Sequence, residues 1–278
     1  MKFRMEYYNF LKRLALFASK RPDILTMTLQ NIFSMRRIGN KTHGDMAEVA
    51  ISEFINQYMY DFSSLHVGKD LFRAKQHEED IRVTNEITKT AIPISLKAYG
   101  VGPLQLSTDK TSSLFPTLKK LGAEIRQEQI RQVLSEKSFN EVRNLHVLPL
   151  IYDERKKLCN VMWFDIDRAL DSTCVIRCVE DGNRRKHPVY IFEDKDGDYI
   201  CEVRYGDAQA NALQRGLWTH TERAERYFNK LFETWIQYND NETLLNLISR
   251  ALVASEVGHE VALAAIVNDI ETIKNKRI

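Results

Sequence analysis

A chain of 278 residues that is 44% hydrophobic and 28% charged can fill one large or two small cores, which excludes a disordered or fibrous protein. The net charge of +2 decides little, but residues 1–44 hold nine Lys or Arg against two Asp or Glu, a surplus that favours a polyanionic partner. No apolar run approaches the ~20 residues that span a bilayer, and Arg4, Glu6, Lys12 and Arg13 interrupt MKFRMEYYNFLKRLALF too often for a signal peptide, so a soluble, cytoplasmic protein is expected.

In chain order, the first 35 residues alternate apolar and basic positions with helical spacing, and RRIGNKTHGD breaks the pattern with two glycines. A helix is expected from near Asp45, where Met46, Val49, Ala50, Phe54 and Tyr58 recur mostly at three and four, with Glu48 and Ser52 on another face. Strands follow at EDIRV (79–83) and IPISLKAY (92–99), separated by the turn-like NEITKT, and at LQLS (104–107) after GVGP. Residues 117–136 return to helical spacing through Leu118, Leu121, Ile125, Ile130 and Val133. Beyond them VLPLIYD, NVMWFDI, TCVIRCV, HPVYIFED and DYICEVRY read as strands, the last two joined as a hairpin through Lys195-Asp196-Gly197. From Thr219 onward the pattern reads as helical to the end. Strands with helices on both sides argue an α/β class with a mixed central sheet, and the absence of repeats or Pro/Gly/Ser linkers argues one domain over residues 1–278.

Several features carry little chemistry. Cys159, Cys174, Cys178 and Cys201 form no CxxC pair and read as reduced core residues rather than a zinc site. The helix-spaced aromatics Tyr7, Tyr8 and Phe10, and Tyr227, Phe228, Phe232 and Trp235, suit a core or subunit seam better than a base-stacking platform. Clusters Arg155-Lys156-Lys157 and Arg184-Arg185-Lys186 fit phosphate contacts and solvated turns equally well. His220 and His259 read as a solvated and a structural histidine.

Lys97 is different, because an ammonium inside the apolar run IPISLKAY needs a carboxylate partner or a chemical role. Alternation places Asp80, Arg82 and Thr84 on the polar side of the first strand, and puts Ser95 and Lys97 on one face of the second. If these strands are neighbours, Asp80 approaches Lys97, and the preceding helix can bring Glu48 over the same edge. Carboxylates that hold a hard divalent cation, with a lysine that orients or helps deprotonate the attacking water, are what phosphodiester hydrolysis requires. The structural alternative is an ion pair between Asp80 and Lys97 in an ordinary sheet, with Glu48 an exposed helix charge.

An acidic residue opening a strand, followed after a hairpin by x-x-K in an apolar strand, resembles the PD-(D/E)xK nuclease core. SLKA followed by a QLS strand resembles type II restriction endonucleases in particular, and GDMAEVAISEFI is similar to the helix that precedes their core and often carries an accessory glutamate. The resemblance covers roughly residues 40–110. Two positions depart from the pattern: Glu79 stands where the family has Pro, and Ser95 replaces the second acid, a metal ligand.

What the resemblance implies is a restriction-endonuclease-like core at about 40–136, with DNA-reading and helical additions over 137–278. Asp80 and Glu48 would hold Mg²⁺, with Glu53, Glu78 and Glu79 as substitutes for Glu48; Lys97 would position or activate the water, and Ser95 would donate a hydrogen bond to a bound water. It further implies a homodimer acting on a short site in double-stranded DNA and a cognate DNA methyltransferase. Alternatives are a nonspecific repair or defence nuclease of the same type and a catalytically silent DNA-binding protein.

A DNA-reading element is expected in EVRYGDAQANALQRGLWTHTERA (202–224). Arg204, Tyr205, Gln209, Asn211, Gln214 and Arg215 there, with Gln105 in the QLS strand, include the side chains that pair with guanine and adenine edges. The bland alternative is a polar strand-to-helix connection.

Overall fold

The computed structural model describes residues 2–35, 43–67, 79–100, 102–106, 114–126, 128–144, 146–180, 188–204, 216–239, 241–253 and 260–275. The chain is α/β, with a mixed central sheet flanked by helices. Helices α1 (Lys2–Lys20), α2 (Pro22–Met35) and α3 (His43–Tyr58) come first, then strands β1 (Phe62–His66), β2 (Ile81–Asn85), β3 (Thr90–Tyr99) and β4 (Pro103–Gln105). Next are α4 (Leu114–Leu121), β5 (Glu124–Arg126), α5 (Glu128–Ser135), α6 (Lys137–Arg143), β6 (Val147–Asp153), β7 (Leu158–Phe164), α7 (Ile166–Asp171) and β8 (Val175–Val179). The chain continues with β9 (Val189–Glu193), β10 (Tyr199–Arg204), β11 (Gly216–His220), β12 (Phe228–Lys230), β13 (Ile236–Gln237), α8 (Glu242–Val253) and α9 (Glu260–Asn275). One sheet has the order β1-β2-β3-β6-β7-β12, with β13 also on β7; the other has the order β4-β11-β10-β9-β8-β5.

Contacts divide the chain into two compact units, Met1–Met5, Tyr99–Ile151 and Val161–Lys230 in one, and Glu6–Ala98, Tyr152–Asn160 and Leu231–Ile278 in the other. The stretch from 40 to 136 is therefore divided at Tyr99.

The unit holding Glu6–Ala98 is built on three amphipathic helices and the β1–β2–β3 meander. Tyr7, Phe10, Leu11, Leu14 and Ala18 recur at helical spacing on α1 and are buried, as are Leu25, Leu29, Ile32 and Phe33 on α2. Arg21 ends α1, and Pro22 opens α2 at the one helical position where a missing N–H costs nothing. On α3 the buried face is Ala47, Ile51, Phe54 and Ile55, while Val49 is exposed, so the apolar stripe is rotated from the one the spacing suggested. Phe10 packs edge-on to Phe62, and Phe17 to Phe54.

Residues 81–85 and 90–94 pair antiparallel, with Ile81 opposite Ile94 and Asn85 opposite Thr90. The Asn85 carboxamide organises the intervening turn: its Oδ1 accepts from the Ile87 and Thr88 amides at 2.9 and 3.2 Å, and Lys89 takes φ 54°. Its Nδ2 donates to buried Glu6 at 2.8 Å. Burial alternates along β2 as the sequence pattern requires, with Ile81, Val83 and Asn85 inside and Arg82 and Thr84 half-exposed.

The other unit carries the six-stranded antiparallel sheet over a core that includes Leu118, Ile125, Phe139, Ile176, Phe192, Val203 and Leu217. Two expectations fail here. Residues 117–136 are not one helix, because Gly122 at φ 107° ends α4 and lets residues 124–126 pair with β8 before α5 begins. The region after Thr219 is not helical either: residues 216–220 pair with β4 and β10, and 228–230 pair with β7, helix resuming only at Glu242. There the aromatic spacing mimicked a helix, but Tyr227 and Phe228 are core residues of this unit in a short turn and strand.

The Lys195-Asp196-Gly197 hairpin forms between β9 and β10, with Gly197 at φ 80° and the Asp194 carboxylate accepting from the Asp196 and Asp198 amides. All four cysteines are free; Cys159 and Cys201 are buried, the former with its thiol pushed up to about 12 by desolvation. Cys178 is half-buried and packs against the core, whereas Cys174 is exposed and is not the core residue expected of it. Among the described residues no helix is long and apolar enough to cross a membrane.

Candidate functional site

Asp80 lies at the start of β2, half-exposed, where the polar face of the hairpin reaches the end of the paired region. Its amide donates to Ile94 O at 3.1 Å, and its carbonyl accepts from the Val67 amide at 3.0 Å, so the backbone is held from both neighbouring strands. Its carboxylate is held as firmly. Oδ2 accepts from the Leu96 amide at 2.6 Å and from the Ser95 hydroxyl at 2.9 Å. Charge-assisted bonds of that length fix the side chain in one orientation.

Lys97 does not pair with Asp80: the hairpin register sets Asp80 against Ser95 and Leu96, and Lys97 falls two residues further along. Among the described residues Lys97 makes no ion pair at all, although it is half-buried. Asp80 and Lys97 thus form no ion pair, and the Ser95 hydroxyl donates to Asp80.

Glu48 sits one turn into α3 with its side chain 18% exposed. Its carboxyl is held above the ordinary range, first by burial and also by repulsion from Asp80 and Asp45, with a His66 hydrogen bond opposing the rise. Glu48 reaches His66 on β1, opposite Ile81, the residue after Asp80, and the charge of Asp80 adds to the rise that burial causes. Asp80 Oδ1 and Glu48 Oε1 accept no hydrogen bond from the described residues, so each carboxylate keeps an oxygen available.

Of the substitutes for Glu48, Glu53 is exposed and Glu78 lies outside the described residues. Glu79 is 2% exposed and is committed to Arg82 through a forked pair, Nε–Oε1 at 2.6 Å and Nη2–Oε2 at 2.7 Å. We expect Arg82→Ala to destabilise the fold by about 3 kcal/mol, because a buried carboxylate loses the one counter-charge it has among the described residues, and Glu79→Gln in the same background to recover part of it. Urea unfolding of the three proteins measures this.

Repulsion between the two site carboxylates has a measurable sign. Glu48 has a higher pKa folded than unfolded, so its ionised form opposes folding; the penalty is absent below the ordinary carboxylate range and complete above the raised value. Glu48→Gln is expected to melt about 1–2 °C higher than the wild type at pH 8 without divalent cations, the gap closing as pH falls toward the ordinary carboxylate range. Differential scanning fluorimetry across pH reads it.

His66, on β1, was missed by sequence reasoning. Its Nε2 lies 3.2 Å from Glu48 Oε2. The segment FSSLH has two serines and little apolar alternation, so only its place beside β2, with His66 opposite Ile81, shows that it belongs to the site.

Of the expected DNA-reading residues, Tyr205, Gln209, Asn211, Gln214 and Arg215 lie outside the described residues. Arg204 ends β10, its Nε on the fully buried Glu202 at 2.8 Å and its guanidinium 4.1 Å over the Trp218 ring. Gln105 is opposite Trp218 across the β4–β11 pair, and Trp218 is opposite Glu202, so these residues form one row across the sheet. His220 ends β11 with its ring 5.8 Å from that of Tyr199; it caps no helix. A cavity of about 980 Å³ in the same unit, lined by Arg131, Asn140, Arg143, Asp171 and Cys174 among others, contains none of the expected residues.

Among the described residues no group of three or more His, Cys, Asp or Glu is arranged to hold a metal ion. Among these residues a site built on Glu48 and Asp80 would have two protein carboxylates. No family model, no curated protein and no solved structure matches the chain.

Proposed function

We propose that the chain is a Mg²⁺-dependent endonuclease of the PD-(D/E)xK type, hydrolysing phosphodiester bonds in double-stranded DNA at a short specific site as type II restriction enzymes do. The observation that carries the reading is that helix-borne Glu48 reaches His66, whose strand position neighbours that of Asp80 across the β1–β2 pair, while half-buried Lys97, two positions beyond Ser95 on β3, neutralises no carboxylate among the described residues. Two hard oxygen donors in each other's field suit Mg²⁺, which keeps several waters and takes only one or two protein carboxylates.

Glu48 and Asp80 would hold the ion through the oxygens that no donor among the described residues occupies. When bound, it supplies Lewis-acid polarisation of the phosphate and acidifies the attacking water. Asp80 stays oriented by the Leu96 amide and the Ser95 hydroxyl, so Ser95 contributes by fixing a ligand. Lys97 offers its ammonium to the attacking water and to charge developing on the phosphate, an interaction that strengthens toward the transition state. Arg204 and Gln105, with the residues of 205–215, read base edges in this proposal, and a homodimer with a cognate methyltransferase completes it.

One observation favours a second reading, a catalytically silent DNA-binding protein: the residue at the position of the family's second acid is a serine whose hydroxyl is spent on Asp80. Plasmid digestion with Mg²⁺ and an EDTA control separates the readings. Discrete fragments support the restriction enzyme, a smear a nonspecific nuclease, and intact but retarded plasmid the silent binder.

A further inference from the structure

We propose that His66 is a positioning residue that aims Glu48 at the Asp80 carboxylate, at the end of a polar seam that locks α3 onto β1. The inference rests on the nuclease reading, in which Glu48 holds the metal ion.

Glu48, Ser52 and Asn56 follow one another at intervals of four along α3 and so form one stripe. Each member meets β1. Asn56 Nδ2 donates to Ser64 O at 3.0 Å while the Ser64 amide donates to Asn56 Oδ1 at 2.7 Å. Ser52 Oγ donates to Ser64 Oγ at 3.0 Å. Glu48 Oε2 meets His66 Nε2 at 3.2 Å, in the tautomer that places the proton on Nε2.

β1 is the edge strand of its sheet, so the outward N–H and C=O of Ser64 would lack partners without Asn56. That double bond sets the height of the helix on the strand. Two turns nearer the helix start, the same register carries Glu48 to His66, which is opposite Ile81, the neighbour of Asp80. His66 thus stands on Glu48 with its strand position next to that of Asp80 across the β1–β2 pair.

A hydrogen bond is needed at that point. Glu48 is pressed by burial and by the charge of Asp80, and a free glutamate side chain relieves both by turning to solvent. The imidazole holds Oε2 in place and leaves Oε1 to the ion, the arrangement by which partners behind a ligand tune a metal site. His66 itself is 36% exposed, and the Asn56–Ser64 and Ser52–Ser64 bonds hold the seam without it. Its removal should therefore perturb Glu48 more than the fold.

The test titrates Mn²⁺ into the full chain by calorimetry without DNA, comparing wild type, His66→Ala and His66→Gln, with thermal midpoints measured alongside. The expected result is a Mn²⁺ dissociation constant raised about 10-fold or more in His66→Ala, restored to within about 3-fold of wild type by the glutamine amide, with midpoints nearly equal. Plasmid cleavage should show the same split, a higher Mg²⁺ requirement with the rate recovered at saturating ion. If His66→Ala does not fold, His66→Asn, whose shorter amide falls short of Glu48, replaces it. Wild-type affinity in the non-bonding variant, or equal losses in that variant and His66→Gln, overturns the proposal. Wild type that cuts while the His66 variants bind Mn²⁺ normally overturns this inference alone; wild type that neither binds Mn²⁺ nor cuts overturns the nuclease reading and this inference with it.

Discussion

Lys97→Ala is expected to lower Mg²⁺-dependent plasmid cleavage by roughly 10²–10³-fold or more, the loss typical of removing a preorganised charge aimed at a transition state. The same substitution should leave thermal stability nearly unchanged, because Lys97 makes no ion pair among the described residues and its removal strands no carboxylate there. That combination separates a chemical role from a structural one. A lysine that merely balanced a buried acid would give the reverse pattern, a stability loss of a few kcal/mol with cleavage falling only as the fold is lost. Single-turnover cleavage beside a urea melt decides between them.

Asp80 should behave in the opposite way. Asp80→Ala removes a metal ligand and also the acceptor for the Leu96 amide and Ser95 hydroxyl, so it is expected to abolish cleavage and to destabilise the fold by about 2–3 kcal/mol as those donors go unsatisfied. Asp80→Asn isolates the two effects. Its carboxamide oxygen still accepts from both donors, so stability should stay within about 1 kcal/mol of wild type, while cleavage and Mn²⁺ binding are lost with the charge. Calorimetry with Mn²⁺ and urea unfolding of both variants provide the comparison; an Asp80→Asn protein that cuts normally sinks Asp80 as a ligand.

These two residues illustrate how far the site was legible. Alternation along IPISLKAY places Ser95 and Lys97 on one face, and the pattern of EDIRV turns Asp80 away from Ile81 and Val83; burial follows the second, whereas on β3 Ser95 is buried with Ile94 and Leu96. Which of Ser95 and Lys97 meets Asp80 was not legible, because it depends on hairpin register, set by the Asn85-centred turn and the Asp80–Ile94 backbone bond. An offset of two residues, about 6–7 Å along a strand, puts a serine hydrogen bond where the Asp80–Lys97 approach was expected and leaves the lysine without an ion pair among the described residues. His66 was out of reach for a related reason. FSSLH becomes a strand through its pairing with β2 and its side-chain bonds to α3, neither of which leaves a periodic mark.

Local chemistry by itself determined the helices α1 and α2 with their buried stripes, the Lys195-Asp196-Gly197 hairpin, the polar and apolar faces of β2, and the α/β class. Each of these follows from residues close in sequence, where spacing and backbone preference act directly. Tertiary structure alone decided that residues 117–136 split at Gly122, that 216–220 and 228–230 pair as strands despite helical aromatic spacing, and that Glu48 meets His66 on the strand next to β2. Those outcomes depend on partners distant in the chain, since strand pairing and the packing of a helix on a sheet edge are settled by contacts that no local pattern encodes.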